Sequence, residues 1–383
     1  MLLPETFSLL LWSIMILYGS IILVFTIGLV KSPYRSGRLS TRTPGFVSVI
    51  VPVRNEEGNI LRILDELCGQ DFPADLLEVI VTDDFSTDDT MAIAGRYAIG
   101  HPEFPLIMVS SKGADPTVPG KKMAIERAVA KAQGEILLFT DADTFRGYHW
   151  ISSMVSGFGS SGVQMVLGPV YFCHEKNLLQ KIQSLEFLGL MGTTAGSAAL
   201  GFPVMCNGAN LAYRRDAFFQ TGGFSANLQY SSGDDQFIMS SIRKHYGRGA
   251  VVFSYHSLSS VGTEPEATLA GFFNQRIRWV SKSRGYRDPV VIFVGIVTWL
   301  THFLLLTGIL TGFCFPMILS LSLLLWFVKI LMEYPMVWIM IRFFERKKLP
   351  RNYVIAQVFQ LVYVPLAGML GLFLPYRWKG RKG

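Results

Sequence analysis

The hydrophobic positions of this chain fall into two regimes. Four long apolar stretches, Phe7–Val30, Val290–Phe315, Met317–Phe344 and Val354–Leu374, carry few charges, and each is long enough or nearly so to cross the ~30 Å hydrocarbon core of a bilayer. Between the first and the second, Pro44 to Asp288 reads as a globular span in which short β-branched runs alternate with helical segments. The run Phe46–Pro52 predicts a first strand, and the polar turn Val53–Asn59 leads to a helix near Ile60–Cys68. A second strand over Leu77–Thr82 ends in the acidic turn Asp83–Thr90, ahead of a helix near Met91–Tyr97. A third, Leu106–Val109, precedes Gly120-Lys121-Lys122 and a helix over Met123–Lys131. The fourth, Ile136–Phe139, is a fully apolar run of the kind that forms a core strand. Strand and helix in alternation predict a parallel sheet with helices on both faces.

The fourth strand stops at two aspartates one residue apart, Asp141 and Asp143. Open α/β sheets bind ligands beyond the carboxyl ends of their strands. Two carboxylates placed there can hold a hard divalent cation, such as Mg²⁺ or Mn²⁺, that bridges to substrate phosphates. A D-x-D triplet also arises by chance in a chain of this length, so its weight comes from the motifs around it.

Composition adds the setting. Half of the 383 residues are hydrophobic and only 16% are charged, which is too apolar for an ordinary soluble enzyme. The first apolar stretch has no basic leader and exceeds the core of a secretory signal. Lys31, Arg35, Arg38 and Arg42 follow it, and Arg276, Arg278, Lys282, Arg284 and Arg287 close the globular span. The positive-inside rule then puts the globular domain in the cytoplasm, against a plasma or inner membrane. The net charge of +7 is largely juxtamembrane, which suits anionic lipid headgroups and not nucleic acid. Cys68, Cys173, Cys206 and Cys314 show no metal spacing, as expected of reduced thiols. The chain therefore reads as an N-terminal transmembrane helix (1–30), a basic linker (31–45), a cytoplasmic domain with interfacial helices (46–288), a C-terminal membrane region (289–376) and a basic tail (377–383).

The motifs share an order. P-V-R-N-E-E after the first strand, D-D-F-S-T-D after the second, G-K-K before a helix and D-A-D after the fourth resemble a family 2 glycosyltransferase of GT-A fold. The series continues with Asn207-Gly208-Ala209-Asn210, Tyr213-Arg214-Arg215, Ser232-Gly233-Asp234-Asp235-Gln236 and Gln275-Arg276-Ile277-Arg278-Trp279. The last is similar to the Q-x-x-R-W signature of membrane-embedded members such as cellulose, chitin and hyaluronan synthases and ceramide glucosyltransferases. The resemblance runs from about Val47 to Trp279. It implies an α/β, Rossmann-like GT-A domain flanked by transmembrane helices.

It also implies roles. Pro52, Arg54, Asn55 and Glu56, with Asp83 and Asp84, correspond to the nucleoside pocket; capping the following helix is the other role open to Asp84 and Asp88. Lys121 or Lys122, at a helix start, corresponds to the group that neutralises a diphosphate, and a solvated lysine pair is the alternative. Asp141 and Asp143 correspond to the metal ligands, Asp143 being the closer. Asp235 matches the general base, and Asp234 beside it stays in view because the family's commoner Glu-Asp pair is Asp-Asp here. Asn207 and Gly208 fall to the acceptor and diphosphate, together with Gln275, Arg278 and Trp279. The last three share one helix face by their spacing, where anchoring at the membrane interface is the other role.

The remaining features are less specific. His174, His245 and His256 lack partner spacing and read as structural. Leu178–Met191 predicts an amphipathic helix at the bilayer or over the acceptor site, or else a core helix. Lys329 and Glu333, four apart in an apolar stretch, are spaced to pair. The last stretch is either a third C-terminal span or, since Pro365, Gly368 and Gly371 interrupt it, a re-entrant or interfacial hairpin that would return Arg377, Lys379, Arg381 and Lys382 to the cytoplasm, which is the reading preferred. The expected reaction is inverting transfer from a nucleotide sugar, UDP-linked by resemblance, to a membrane lipid. A processive polysaccharide synthase is the competing enzyme. A scaffold built on a dead transferase domain would have lost the carboxylates, and all are present.

Overall fold

The computed structural model describes residues 2–32, 45–111, 120–225, 233–378 and 381–382. Arg35, Arg38 and Arg42 of the basic linker, Ser232 and Lys379 lie outside them, and Arg377, Arg381 and Lys382 are described in their backbone alone. Along the chain, α1 (Leu2–Lys31) is followed by β1 (Val47–Val53), α2 (Ile60–Cys68), β2 (Leu77–Asp83), α3 (Thr90–Gly100) and β3 (Leu106–Val109). Next come α4 (Lys121–Lys131), β4 (Ile136–Thr140), β5 (Phe145–Arg146), α5 (Trp150–Val155), β6 (Met165–Leu167) and β7 (Val170–Phe172). They lead to α6 (Leu178–Ala199), β8 (Asn210–Arg214), α7 (Arg215–Gln220), α8 (Asp234–Tyr246), β9 (Val251–Phe253) and β10 (Val261–Thr263). The last are α9 (Leu269–Ser281), α10 (Pro289–Thr311), α11 (Pro316–Phe343), α12 (Tyr353–Phe373), β11 (Arg377–Trp378) and β12 (Arg381–Lys382).

Two compact units result. One combines Pro33–Cys173 with Gly201–Glu264, and the other Met1–Ser32, His174–Leu200 and Pro265–Gly383. The domain expected over 46–288 is thus interrupted: α6 and α9 group with the long apolar helices.

The first unit is a mixed α/β, Rossmann-like domain. Its main sheet runs β3-β2-β1-β4-β8-β6-β9, and a smaller one runs β5-β10-β7. β1 pairs in parallel with β2 and with β4, while β8 lies antiparallel to β4. Val47, Val49, Ile50 and Val51 are 0% exposed, as a β-branched run in a central parallel strand should be; each such burial contributes roughly 1.5–3 kcal/mol. From β1 the chain goes to β2 and β3 on one side and returns to β4 on the other, so the topological switch point lies between β1 and β4. Val53 stands opposite Asp83 and Ile50 opposite Phe139, which brings the carboxyl ends of the three strands level. Thr140 stands opposite Asn210. The Asn207-Gly208 segment that enters β8 therefore arrives at the same edge.

Among its described residues the second unit contains four helices long and apolar enough to cross a membrane, over Glu5–Lys31, Pro289–Thr311, Pro316–Phe343 and Leu349–Phe373. α6 packs among α1, α11 and α12 and is buried around most of its surface, which makes it a core helix and not an amphipathic surface one. Close approach explains its glycines: a Cβ on Gly196 would fall 2.1 Å from the Phe25 carbonyl oxygen. The last apolar stretch also departs from expectation. α12 is one continuous helix with Pro365 inside it, not a hairpin. Gly368 and Gly371 serve packing, since Cβ atoms there would meet Trp299 at 2.2 Å and Val280 at 2.5 Å. Lys329 and Glu333 do pair, at 2.8 Å. Tyr18 donates to the Glu333 carboxylate, and Gln357 joins both charges at 2.7 and 2.8 Å.

Candidate active site

The turns after β1 and β2 interlock. Arg54 Nη1 donates to the carbonyls of Asp84 and Phe85 at 2.6 and 3.1 Å. Asn55 adopts φ 51, a left-handed conformation that Asn tolerates better than most residues, and its Oδ1 accepts from Thr87 N–H at 2.9 Å. Glu56 is buried and accepts from Asn59 Nδ2 at 2.8 Å. Asp83 accepts from Ser86 N–H at 2.9 Å and the Ser111 hydroxyl at 2.5 Å. Asp84 Oδ1 accepts from Gly120 N–H at 3.1 Å, tying β2 to the start of α4. Capping of α3 falls instead to Asp88, whose Oδ1 accepts from Thr90 N–H at 3.1 Å and from its hydroxyl at 2.6 Å. Pro52, at the end of β1, lines the cleft described next.

The D-A-D turn after β4 is held from behind by two arginines. Arg62 of α2 donates to the carbonyls of Thr144 and Ala142 at 2.6 and 3.3 Å. Arg146 Nη2 donates to the Thr144 hydroxyl at 2.7 Å, and that hydroxyl donates to the Asp141 carbonyl at 2.6 Å. Burial pulls the Arg146 guanidinium down to about 10, against the opposing pull of Glu66, Asp141 and Asp143. Asp141 is half-buried and Asp143 exposed.

Lys121 connects this turn to the aspartate pair. Its Nζ lies 2.6 Å from Asp141 Oδ1 and 3.9 Å from Asp234 Oδ2. Burial acts to lower its pKa, but Asp141 and Asp234 outweigh it and the net shift is upward. Lys122, one residue on, is 3% exposed and its ammonium sits 4.7 Å from the centre of the Phe237 ring, so only the first of the two lysines serves the cleft. Asp235 accepts from Gly208 N–H at 3.1 Å and from Gln236 N–H at 2.8 Å. Asn207 Oδ1 accepts from Ala209 N–H at 3.0 Å, which shapes the loop that offers Gly208. Pro52, Lys121, Gly208, Asp234 and Asp235 thus line a small open cleft together with the apolar side chains of Phe139, Leu211 and Ile238.

Gln275, Arg278 and Trp279 lie on α9 in the other unit. No histidine lines the cleft. None of the four cysteines forms a disulfide. Among the described residues no three His, Cys, Asp or Glu side chains gather as a metal cage. The oxygen donors of Asp141 and Asp143 nonetheless fit Mg²⁺ or Mn²⁺, which commonly take one or two carboxylates and complete their shell with phosphate and water. With Lys121 on Asp141, Asp143 is the more open of the two.

A model of glycosyl transferase family 21 matches residues 10–382 of this sequence. The chain belongs to glycosyl transferase family 21. Its number differs from the family 2 suggested by the motifs. Over 134 residues this family 21 chain is 31% identical to glycosyltransferase AglE of Haloferax volcanii, covering 35% of this chain and 42% of that protein. Over 111 residues it is 36% identical to a beta-monoglucosyldiacylglycerol synthase of Synechocystis sp., covering 29% of this chain and 22% of that protein. The matches span less than half the length of these relatives. The mannosyltransferase PcManGT from Pyrobaculum calidifontis, solved with GDP-Man and Mn²⁺, superposes with a TM-score of 0.60 at 20% identity over 97% of this chain and 99% of that one. That likeness establishes the shared GT-A fold.

Arg62 and Arg146 hold the D-A-D turn yet were not singled out from sequence, whereas Asn210 entered as the last residue of the Asn207–Asn210 motif. Asn210 donates to the carbonyls of Pro169 and Ser259 at 2.9 and 2.8 Å and accepts from Trp150 Nε1 at 3.0 Å. The signal was local for Arg146, three residues past the second aspartate, and absent for Arg62.

Proposed function

We propose that this family 21 protein is an inverting, divalent-cation-dependent glycosyltransferase. It moves one sugar from a nucleotide sugar, read as UDP-linked, to a lipid acceptor at the cytoplasmic face of the membrane. The observation that carries this reading is the bridge made by Lys121, at 2.6 Å from Asp141 and 3.9 Å from Asp234. It ties the D-x-D turn to Asp234, the neighbour of the candidate base, at a helix N-terminus suited to anions. The name of the beta-monoglucosyldiacylglycerol synthase relative and the four apolar helices support a lipid acceptor. Lys31 and the basic cluster Arg342 to Arg351 support the cytoplasmic orientation.

In this reaction Asp235, oriented by the Gly208 and Gln236 amides, takes the proton of the acceptor hydroxyl. That oxygen attacks the anomeric carbon, and the bond to the diphosphate breaks with its electron pair leaving on the phosphate oxygen. Lys121 and the N-terminus of α4 offset the charge that develops there. The turn Pro52–Glu56 with Asp83 and Asp84 shapes the nucleoside end. Asp143 and Asp141 would hold Mg²⁺ or Mn²⁺, which supplies Lewis acidity at the departing diphosphate. Asp235→Asn tests the reading: nucleotide binding persists while kcat falls by about 10²–10⁴. Full turnover by this variant, with loss confined to Asp234→Asn, moves the base to Asp234. Full turnover by both removes the mechanism.

A further inference from the structure

Within the segment Gln275-Arg276-Ile277-Arg278-Trp279, Arg276 and Ile277 are buried, and Arg276, the charged one, is 3% exposed. Its guanidinium meets Glu186 of α6 with two prongs, Nε to Oε1 at 3.1 Å and Nη2 to Oε2 at 2.5 Å. Tyr363 of α12 donates its hydroxyl to the same carboxylate. On its other side, Nη1 donates to Gln275 Oε1, and the guanidinium lies 4.1 Å from the centre of the Trp279 ring. The group is planar, with its donors in a fixed fork. Once Glu186 and Tyr363 set that plane, the same plane dictates where the Gln275 amide and the Trp279 ring can sit.

We infer that Arg276, locked by Glu186 and Tyr363, is a positioning residue that sets the arrangement of Gln275 and Trp279 for sugar transfer. This rests on the reading of Gln275 and Trp279 as acceptor- and diphosphate-binding groups. Stability alone does not account for the pair. The side chains of Arg276 and Glu186 are 4% and 7% exposed, and at such depth the cost of removing two charges from water offsets most of their attraction, so apolar side chains of similar volume hold a core equally well. Apolar replacements cannot orient an amide or set a cation over an indole ring.

The test separates folding from transfer in the full chain held in lipid. Glu186→Gln alone strands a buried cation and lowers both the thermal midpoint and transfer, as either role demands. The triple variant Arg276→Met, Glu186→Leu, Tyr363→Phe removes every member of the cluster. Its thermal midpoint returns to within a few degrees of wild type, while kcat/KM stays down about tenfold or more because the two neighbours are no longer held. Arg276→Lys, which keeps the charge and loses the fork, also folds and loses transfer. Wild-type transfer by the triple variant or by Arg276→Lys overturns the inference. Gln275→Ala and Trp279→Ala in the native background are the control. If neither lowers transfer, the reading of those two residues fails and the inference with it; if both do, the variants above judge the inference alone.

Discussion

Lys121 Nζ lies 2.6 Å from Oδ1 of Asp141, so the ammonium of one motif shares a carboxylate with the next. The same ammonium lies 3.9 Å from Oδ2 of Asp234, so Lys121 connects the D-x-D turn to the aspartate pair. Its removal takes the ammonium from beside Asp141 and, in the proposed mechanism, removes the charge set against the diphosphate. Lys121→Ala should lower kcat/KM roughly a hundredfold, by analogy with loss of one donor aimed at developing charge. Lys122→Ala, at a side chain packed on Phe237, should instead lower thermal stability with little change in donor KM. Steady-state kinetics with varied donor decide between the two lysines, and equal kinetic losses would refute the assignment.

Arg146 holds the D-A-D turn through Thr144 and is buried beside Glu66, 3.6 Å away. Substituting a residue that orients a metal-binding turn commonly costs 10–100-fold in metal affinity. Arg146→Lys should therefore raise the Mn²⁺ concentration for half-maximal activity about tenfold, while saturating metal restores most of the rate. An unchanged metal titration would show that Arg62 alone suffices.

Asp88 joins the two turns by accepting from Thr90 and from Glu57 N–H at 3.1 Å. Burial acts to raise its pKa, but these hydrogen bonds outweigh it and hold the carboxyl below the ordinary value of 3.8. A depressed pKa contributes stability that is fully present above the ordinary value and is lost as pH falls through the folded one. Asp88→Ala should cost about 1 kcal/mol at neutral pH. The gap from wild type should narrow only in acid, below the ordinary aspartate range. Thermal melts of both chains across pH measure this, and a gap that is constant into acid would contradict it.

The parallel sheet was legible because Val47–Val53 and Ile136–Thr140 are β-branched or apolar runs that a central strand buries on both faces. The place of the D-x-D pair followed from where such a run ends. The split between Lys121 and Lys122 was not legible, since neighbours on a helix point about 100° apart and only tertiary packing decides which meets the cleft. Gly368 and Gly371 read as breaks, yet in an apolar helix the missing Cβ admits Trp299 and Val280. The sequence left α6 open between a surface and a core role for a related reason. Its polar residues suggested a wet face, but Gln180 and Gln183 donate to the carbonyls of Pro265 and Glu266 at 3.2 and 2.9 Å, and Glu186 holds Arg276. Partners that far along the chain leave no periodic trace.

Product analysis tests the central claim most directly. The purified chain in lipid vesicles, with Mn²⁺ and a panel of radiolabelled nucleotide sugars, transfers label to whatever acceptor its membrane helices admit. One-sugar transfer to a lipid places the label in a small product that partitions into organic solvent, and the active member of the panel identifies the donor. Label in a high-mass polymer, soluble or insoluble in water, would contradict the account and make the protein a processive synthase.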